Sequence, residues 1–182
     1  MRVITGMAKG IKLETLEGMD VRPTTDKVKE AIFSSIQFDL YDSLVLDLFA
    51  GSGQLGIEAL SRGAKSAAFV DNSKKSIEIV RKNLEKTNLI DLSQLFYMNS
   101  IDYLKLLDKK FDIIFLDPPY NKGILTEILP LLSDKLNDKG QIICEHEQNL
   151  KLPDKIENLR LKKDYKYGKI KVSIYCYYRE DE

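Results

Sequence analysis

The sequence predicts a doubly wound α/β domain with a Rossmann-like, mostly parallel sheet, and two observations lead to this fold class. From residue 44 onward, short apolar runs alternate with amphipathic stretches, as is typical of parallel strands joined by right-handed crossover helices. Glycines follow the first apolar run, where such folds turn from strand to helix around a ligand. The predicted strands are 44–48, 67–70, 95–98, 113–116 and 142–144.

Residues 1–20 do not follow this alternation of strands and helices and are predicted to form a small N-terminal β extension. Short β-like pieces lie around Gly6 and Gly10, and the main domain is expected over residues 21–182. Its first element is a helix after Arg22-Pro-Thr-Thr-Asp26, for which Thr24, Thr25 or Asp26 would be the N-cap. One face of that helix carries Val28, Ala31, Ile32 and Ile36.

Apolar residues at helical spacing predict two later helices, and the C-terminal region reads as a strand. From residue 170 to 178, apolar and polar residues alternate, so this strand is expected to have one exposed side and to run antiparallel to the others. The two helices are marked by Ile77, Val80 and Leu84, and by Ile124, Ile128, Leu131 and Leu132.

Length and composition limit the possible classes of protein. A chain of 182 residues fits one domain, and no apolar run approaches the roughly 20 residues of a membrane helix. The N-terminal residues lack the pattern of a signal peptide, so the expected compartment is the cytoplasm. Cys144 and Cys176 have no metal-binding spacing, and no metal site is predicted. A formal net charge of zero argues against bulk attraction to nucleic acid.

The turn Asp47-Leu-Phe-Ala-Gly-Ser-Gly-Gln-Leu-Gly56 predicts a nucleotide cofactor site. Its glycines let the backbone bend tightly and approach a ligand, and Asp71 follows Gly51 by the spacing expected of an acid that binds ribose hydroxyls. To this point NAD and S-adenosylmethionine both fit. Asp47 favours S-adenosylmethionine, because a carboxylate there would repel a pyrophosphate and attract the ammonium of a methionine group.

Two further stretches follow predicted strands at the same edge of the sheet. Asn99-Ser-Ile-Asp102 would border an adenine ring, although helix capping explains the same residues. Asp117-Pro-Pro-Tyr120 would grip a planar amine, since the Asp117 carboxylate and the Pro118 carbonyl are acceptors and Tyr120 can stack. The same four residues also fit a plain loop stiffened by proline. The glycine turn, which predicts a nucleotide cofactor nearby, is what favours the binding role.

Four stretches resemble the RsmD family, and the resemblance extends over nearly the whole chain; the stretches are residues 2–10, 22–30, 46–64 and 111–120. The resemblance implies a class I methyltransferase fold and the transfer of a methyl group from S-adenosylmethionine to the N2 amine of a guanine in 16S ribosomal RNA. In that family the target is guanine 966, modified during small-subunit assembly. Residues 22–30 separate the family from adenine methyltransferases that share Asp-Pro-Pro-Tyr. The alternatives are an adenine-N6 nucleic-acid methyltransferase, an NAD-dependent oxidoreductase, and a ribosome-binding protein with a vestigial site, against which the intact Asp117 and Gly51 argue.

The resemblance also implies roles for individual residues. The catalytic residues that hold the target base would be Asp117, Pro118 and Tyr120. The cofactor would contact Asp47, Phe49, Gly51, Gly53, Asp71, Asn72, Ser100, Ile101 and Asp117. The RNA would contact Arg2, Lys9, Arg22, Pro23, Thr24 and Thr25.

Basic residues near both ends bear on RNA recognition, because a base inside a helix cannot enter such a pocket and neighbouring RNA must be bound. The N-terminal group is expected to contact RNA, by resemblance; the C-terminal group reads as a solvated face or an RNA surface. For His146 a capping or surface role is expected over that of a general base, because the amine chemistry needs none. The two groups are Arg2, Lys9, Lys12, Arg22, Lys27 and Lys29, and Arg160, Lys162, Lys163, Lys166, Lys169 and Lys171.

Overall fold

A computed structural model describes residues 1–16, 25–120 and 123–178. Five α-helices and eight strands follow one another in these ranges, with one 3-10 turn at Ile90–Leu92. They are α1 (Asp26–Ser35), β1 (Leu44–Asp47), α2 (Gln54–Ser61), β2 (Ser66–Asp71), α3 (Lys74–Lys86), β3 (Ser93–Tyr97), α4 (Ser100–Leu106), β4 (Phe111–Leu116), α5 (Ile124–Leu131), β5 (Leu136–Glu147), β6 (Lys155–Ile156), β7 (Leu159–Tyr167) and β8 (Ile170–Tyr177). None of the helices in the described ranges is long and apolar enough to cross a membrane.

The eight strands form one sheet in the order β3-β2-β1-β4-β5-β8-β7-β6. Strands β1 to β5 pair in parallel, whereas β8 lies antiparallel between β5 and β7. This topology confirms the predicted fold class, including the antiparallel C-terminal strand. The strand order reverses between β1 and β4, and the crevice at such a switch point is where open α/β sheets bind ligands.

Alternate residues of the central strands enter two separate cores, which explains why these strands read as continuous apolar runs. Val45 and Ile113 join the core on the side of α1, α2 and α3. Leu46 and Ile114 join the core beneath α4 and α5. The sheet is therefore covered on both faces, which leaves the carboxyl edge as the place where such folds bind ligands.

Strand β7 is absent from the sequence prediction, because its several lysines obscure the alternation of apolar and polar residues that marks a strand. The pairing with β8 shifts between Leu161 and Lys163, so one extra residue changes which face the following side chains occupy. Leu161 packs on the core beneath α4 and α5, whereas Tyr165 and Tyr167 pack on the opposite core. A pattern of period two cannot be read across such a bulge.

Residues 1–13 form a hairpin-like loop that lies on α2. Its β pairing in the described structure is a single bridge between Arg2 and Lys12. The side chain of Glu58, fully buried in α2, accepts hydrogen bonds from the Ile4 and Thr5 amides at 2.8 and 3.0 Å. The loop is therefore fastened by a carboxylate that the chain supplies more than fifty residues later.

Lys29 is buried beneath this loop, so its place in the expected RNA-contacting group is wrong. It is 0% exposed and pairs with Glu58 at 3.3 Å, while its ammonium also donates to the Arg2 carbonyl. Arg62 pairs with the same Glu58 at 2.8 Å. Burial lowers the pKa of Lys29, and the Glu58 carboxylate opposes that shift. Lys29 thus joins α1 to α2 and the loop.

Candidate active site

The glycine turn between β1 and α2 leaves open space at the carboxyl edge of the sheet. Gly51 and Gly53 have positive φ angles of 54° and 78°, in the left-handed region that favours glycine. A Cβ added to Gly51 would meet no atom within 4 Å, whereas one added to Gly53 would press on Val80 and Ile57 at 3.1 and 3.2 Å. Gly51 therefore borders open space, and we call the turn around this space, residues 51–53, the cradle. Gly53 lets α3 pack against the turn.

The third glycine of the motif, Gly56, is required for packing. A Cβ there would lie 2.3 Å from the ring of Phe69 in β2, which is far inside van der Waals contact. The Gly56 amide also donates to Asp47 at 3.0 Å. The close approach of α2 to the sheet thus places the first turn of the helix against the carboxylate that ends β1.

Asp47 is 2% exposed, and its environment opposes ionisation. Burial raises its pKa to about 7; the hydrogen bond from Gly56 lowers the pKa in part, and the negative charge of Asp71 raises it. A cation brought close to Asp47 would reverse this balance and favour the ionised carboxylate. The site is therefore suited to a ligand that carries a positive charge.

Asp71, at the end of β2, organises the turn with both of its carboxylate oxygens. One carboxylate oxygen accepts from the Gly51 amide at 2.8 Å and the other from the Ser73 amide at 2.8 Å. Ser73 in turn caps α3. Asp71 thus fixes the glycine turn relative to α3, and the neighbouring Asn72 is exposed.

Asn99 caps α4, as the capping alternative predicts. Its side-chain oxygen accepts from the Ile101 amide at 2.9 Å. Ser100 and Ile101 are half-buried at the start of this helix, and Asp102 is exposed. Because β3 lies beside β2, these residues stand at the same edge of the sheet as Asp71.

The Asp117–Tyr120 turn follows β4 beside the glycine turn. The register of the two strands pairs Asp47 with Phe115, so Asp117 lies two residues beyond that pair on the adjacent strand. Pro118 is buried, whereas Asp117 and Tyr120 are half-buried. The fold therefore brings the turn predicted to hold a base next to the turn predicted to hold a cofactor.

Glu145, which had no predicted role, contacts this turn. It is 2% exposed, and its Oε1 accepts from the Tyr120 hydroxyl at 3.3 Å. The register of β4 and β5 pairs Leu116 with Cys144, which sets Glu145 beside Asp117. An acid directly after the apolar run of a fifth parallel strand was the signal in the sequence that could have identified it.

His146 is buried, so the expectation of a capping or surface role is wrong. Its ring nitrogens lie 2.8 Å from the Ser173 hydroxyl and 2.9 Å from the Glu147 carbonyl. Burial lowers the pKa of His146, with a smaller opposing effect of the hydrogen bond to Glu147. The Ser173 hydroxyl also donates to Asp164 at 2.6 Å, so His146 belongs to a polar link between β5, β7 and β8.

The predicted RNA contacts are only partly within the described residues. Arg2 and Lys9 are exposed on the N-terminal loop, and Arg2 pairs with Asp26 at 3.3 Å. Thr25 caps α1 by accepting from the Val28 amide. Arg22, Pro23 and Thr24 lie outside the described residues. In the part of the chain that the structure describes, no group of acidic, histidine or cysteine side chains could hold a metal ion.

Comparison with known proteins finds similarity over nearly the whole chain. The family model described as conserved hypothetical protein 95 matches residues 1–176. The Bacillus subtilis protein YlbH is 41% identical over 180 residues, covering 96% of this chain and 98% of that protein. Ribosomal RNA small subunit methyltransferase D of Escherichia coli K12 is 33% identical over 177 residues, covering 96% of this chain and 89% of that protein.

Solved structures share the fold. The Escherichia coli protein yhhF superposes with a TM-score of 0.87 at 33% identity, covering 98% of each chain. An RNA methyltransferase from Salinibacter ruber, solved in complex with S-adenosyl-L-homocysteine, has a TM-score of 0.65 at 14% identity and covers 87% of this chain and 95% of its own. At that identity the second likeness concerns the fold alone.

Proposed function

Because this chain belongs to the RsmD family, whose model spans residues 1–176, we propose that it is an S-adenosylmethionine-dependent methyltransferase of small-subunit ribosomal RNA. The acceptor is the exocyclic N2 amine of a guanine in 16S RNA, guanine 966 by the family pattern. One observation carries the proposal: the Asp117–Tyr120 turn and the glycine turn end adjacent parallel strands at the switch point of the sheet.

The cofactor cradle fits S-adenosylmethionine better than NAD. The buried carboxyl group of Asp47 ends β1 directly ahead of the glycine turn, where a carboxylate would repel the pyrophosphate of a dinucleotide. It suits the ammonium of a methionine-bearing nucleoside instead, whereas Asp71 would suit the ribose of either cofactor. Phe49, Asn72, Ser100 and Ile101 would complete the site. S-adenosylmethionine supplies an electrophilic methyl group when it is bound.

The residues of β4 and its turn would orient the acceptor. The lone pair of guanine N2 is delocalised into the ring, so the amine is a weak nucleophile and must be aligned for in-line displacement. Asp117 and the Pro118 carbonyl would accept the two N–H groups, which lets the nitrogen pyramidalise. Stacking on Tyr120 would add about 1 to 3 kcal/mol. The proton leaves to Asp117 or to water.

The Tyr120 hydroxyl bond to Glu145 suits this role, because it restrains the ring on which the base would stack. The base itself must be unpaired or flipped out of a helix before it can enter. Residues 1–20 would act as an RNA-contacting extension and residues 21–182 as the methyltransferase domain, with Arg2, Lys9 and the 22–25 stretch bordering the RNA. The formal net charge of zero is consistent with RNA contacts that are local.

The test is methyl transfer from a tritiated donor to naked 16S RNA or to partly and fully assembled small subunits, followed by nucleoside analysis. Labelled N2-methylguanosine is the expected product. Labelled N6-methyladenosine would instead identify an adenine enzyme, and preferential binding of labelled NAD would identify an oxidoreductase. Comparison of the RNA substrates identifies the assembly stage that the enzyme recognises.

A further inference from the structure

Asn83 of α3 joins the N-terminal loop directly to the glycine turn. Its side chain is fully buried. The side-chain nitrogen donates to the Ser52 carbonyl at 2.9 Å and to the Glu14 carbonyl at 3.0 Å, and the side-chain oxygen accepts from the Glu14 amide at 2.7 Å. One side chain thus holds two backbone segments that are 38 residues apart (52 − 14).

The chemistry of this contact requires a carboxamide. Asn83 pairs with both backbone groups of Glu14 as a neighbouring strand would, and its second N–H remains for Ser52. An aspartate in its place would set an anionic oxygen against two carbonyl oxygens, and a leucine would leave three backbone groups of Glu14 and Ser52 without these partners. The Ser52 hydroxyl also donates to the Met1 sulfur at 3.5 Å, which makes a second link between the same two segments.

Both ends of the link lie at functionally important points. Ser52 stands between Gly51 and Gly53, the left-handed residues that form the cofactor cradle. Glu14 follows the loop that carries Arg2 and Lys9, and it precedes Arg22 by eight residues along the chain (22 − 14). A shift of the cradle on cofactor binding would therefore be transmitted through Asn83 to the segment that is expected to meet RNA.

We propose that Asn83 is a positioning residue that couples cofactor binding at the glycine turn to the order of the N-terminal loop. The proposal rests on the proposed function, because that function makes the N-terminal loop a contact for RNA. Coupling between two sites is reciprocal, so cofactor would strengthen RNA binding and RNA would strengthen cofactor binding by the same factor. The enzyme would then bind RNA most tightly when its methyl donor is in place.

The decisive measurement is amide hydrogen exchange of residues 3–13 with and without saturating S-adenosylhomocysteine. These amides do not bond to Asn83, so they report the order of the loop and not the loss of the side chain itself. In the wild-type protein the ligand is expected to slow their exchange at least about fivefold, the lower end of common coupling factors. In Asn83→Leu the ligand should still bind, and the slowing should disappear.

Two further variants separate coupling from stability. Thr87→Val is the matched control, because Thr87 is a buried polar residue of the same region whose hydroxyl donates within α3, to the backbone carbonyls of Asn83 and Leu84 at 2.7 and 3.1 Å. This substitution leaves the Asn83 side chain and its bonds to Glu14 and Ser52 in place. It should destabilise the protein and keep the wild-type response. Asn83→Asp retains the acceptor for the Glu14 amide and loses both donors, so it should lose the response even if Asn83→Leu fails to fold.

Wild-type protein whose loop exchange is unaffected by S-adenosylhomocysteine, or a folded Asn83 variant that keeps the wild-type response, would overturn the proposal. The affinity for 16S RNA gives a second readout, as the ratio of dissociation constants without and with S-adenosylhomocysteine. That ratio should exceed about five in the wild type and approach one in Asn83→Leu. If the proposed function is wrong, the methyl-transfer assay will yield no N2-methylguanosine. The effect of S-adenosylhomocysteine on hydrogen exchange can still be measured in that case, so the two failures are distinguishable.

Discussion

Acidification is expected to weaken cofactor binding in a pH range set by Asp47. This carboxyl group is buried at the end of β1, and its pKa is raised to about 7 in the ligand-free protein. An ammonium group on the ligand pairs with the carboxylate and not with the neutral acid. Below about pH 7 a proton must therefore leave Asp47 before the ligand binds, and the free energy of that deprotonation reduces the affinity.

The magnitude follows from the ionised fraction. With a pKa of about 7, Asp47 is about 90% ionised at pH 8 and about 10% ionised at pH 6, so the dissociation constant of S-adenosylhomocysteine should rise about tenfold between these values. That change corresponds to about 1.4 kcal/mol. An aspartate with the ordinary value of 3.8 would give no change in this range.

Isothermal titration calorimetry at pH 8, 7 and 6 measures the effect, and Asp47→Asn is the control. Asparagine can still accept the hydrogen bond from Gly56 but does not titrate, so the variant should bind more weakly with an affinity independent of pH. A flat profile for the wild-type protein, or the same slope in Asp47→Asn, would refute the assignment of Asp47 as the group that meets the ammonium.

The same shift has a consequence for the stability of the ligand-free protein. Between about pH 4 and about pH 7 the folded state keeps a proton that the unfolded chain has lost, because the folded pKa lies above 3.8. The contribution of Asp47 to stability therefore decreases as the pH rises through that range. Buried His146, whose pKa is lowered, gives both proteins a slope of the opposite sign in the same range. The contribution of Asp47 is therefore measured by thermal unfolding as the difference in unfolding free energy between wild type and Asp47→Asn, which should change as the pH rises from about 4 to about 7.

The remaining predictions concern the base turn, the buried ion pair and the third glycine. Asp117→Ala should reduce methyl transfer at least about a hundredfold by removing an acceptor for the amine, with S-adenosylhomocysteine affinity largely kept; calorimetry and the tritium assay measure the two. Lys29→Met should lower the melting temperature by about 6 to 12 °C in circular dichroism, because loss of a partner from a buried pair costs about 3 kcal/mol. Gly56→Ala should lower the urea midpoint, since a new methyl group against Phe69 costs about 1 to 3 kcal/mol.

Each of these has an outcome that contradicts it. Full activity of Asp117→Ala would exclude Asp117 from the chemistry. An unchanged melting temperature for Lys29→Met together with weaker RNA binding would mean that Lys29 contacts RNA after all. Lys9→Ala is the matched control: Lys9 is exposed on the loop, so its loss should weaken RNA binding without lowering stability. A urea midpoint for Gly56→Ala equal to wild type would mean that α2 can move away from the sheet without cost.

Much of the fold was predictable, because its signals are local. The strand cores over 44–46 and 113–116 are continuous apolar runs, and the cap at Thr25 is adjacent to the helix that it caps. The two predicted turns could be placed at one edge because the carboxyl ends of parallel strands always meet there. Strand β7 escaped prediction because its bulge exchanges the two faces partway along.

The sequence by itself determined the doubly wound sheet, the glycine turn with Asp47 and Asp71, and the Asp117–Tyr120 turn, since each is a contiguous motif or a short period. Tertiary structure alone decided that Lys29 is a buried ion-pair partner, that Glu145 meets Tyr120, and that Asn83 holds Glu14 to Ser52. These partners are 25 to 69 residues apart along the chain. No local pattern encodes which helix face or strand end meets another, because that depends on how the packed layers bring distant residues together.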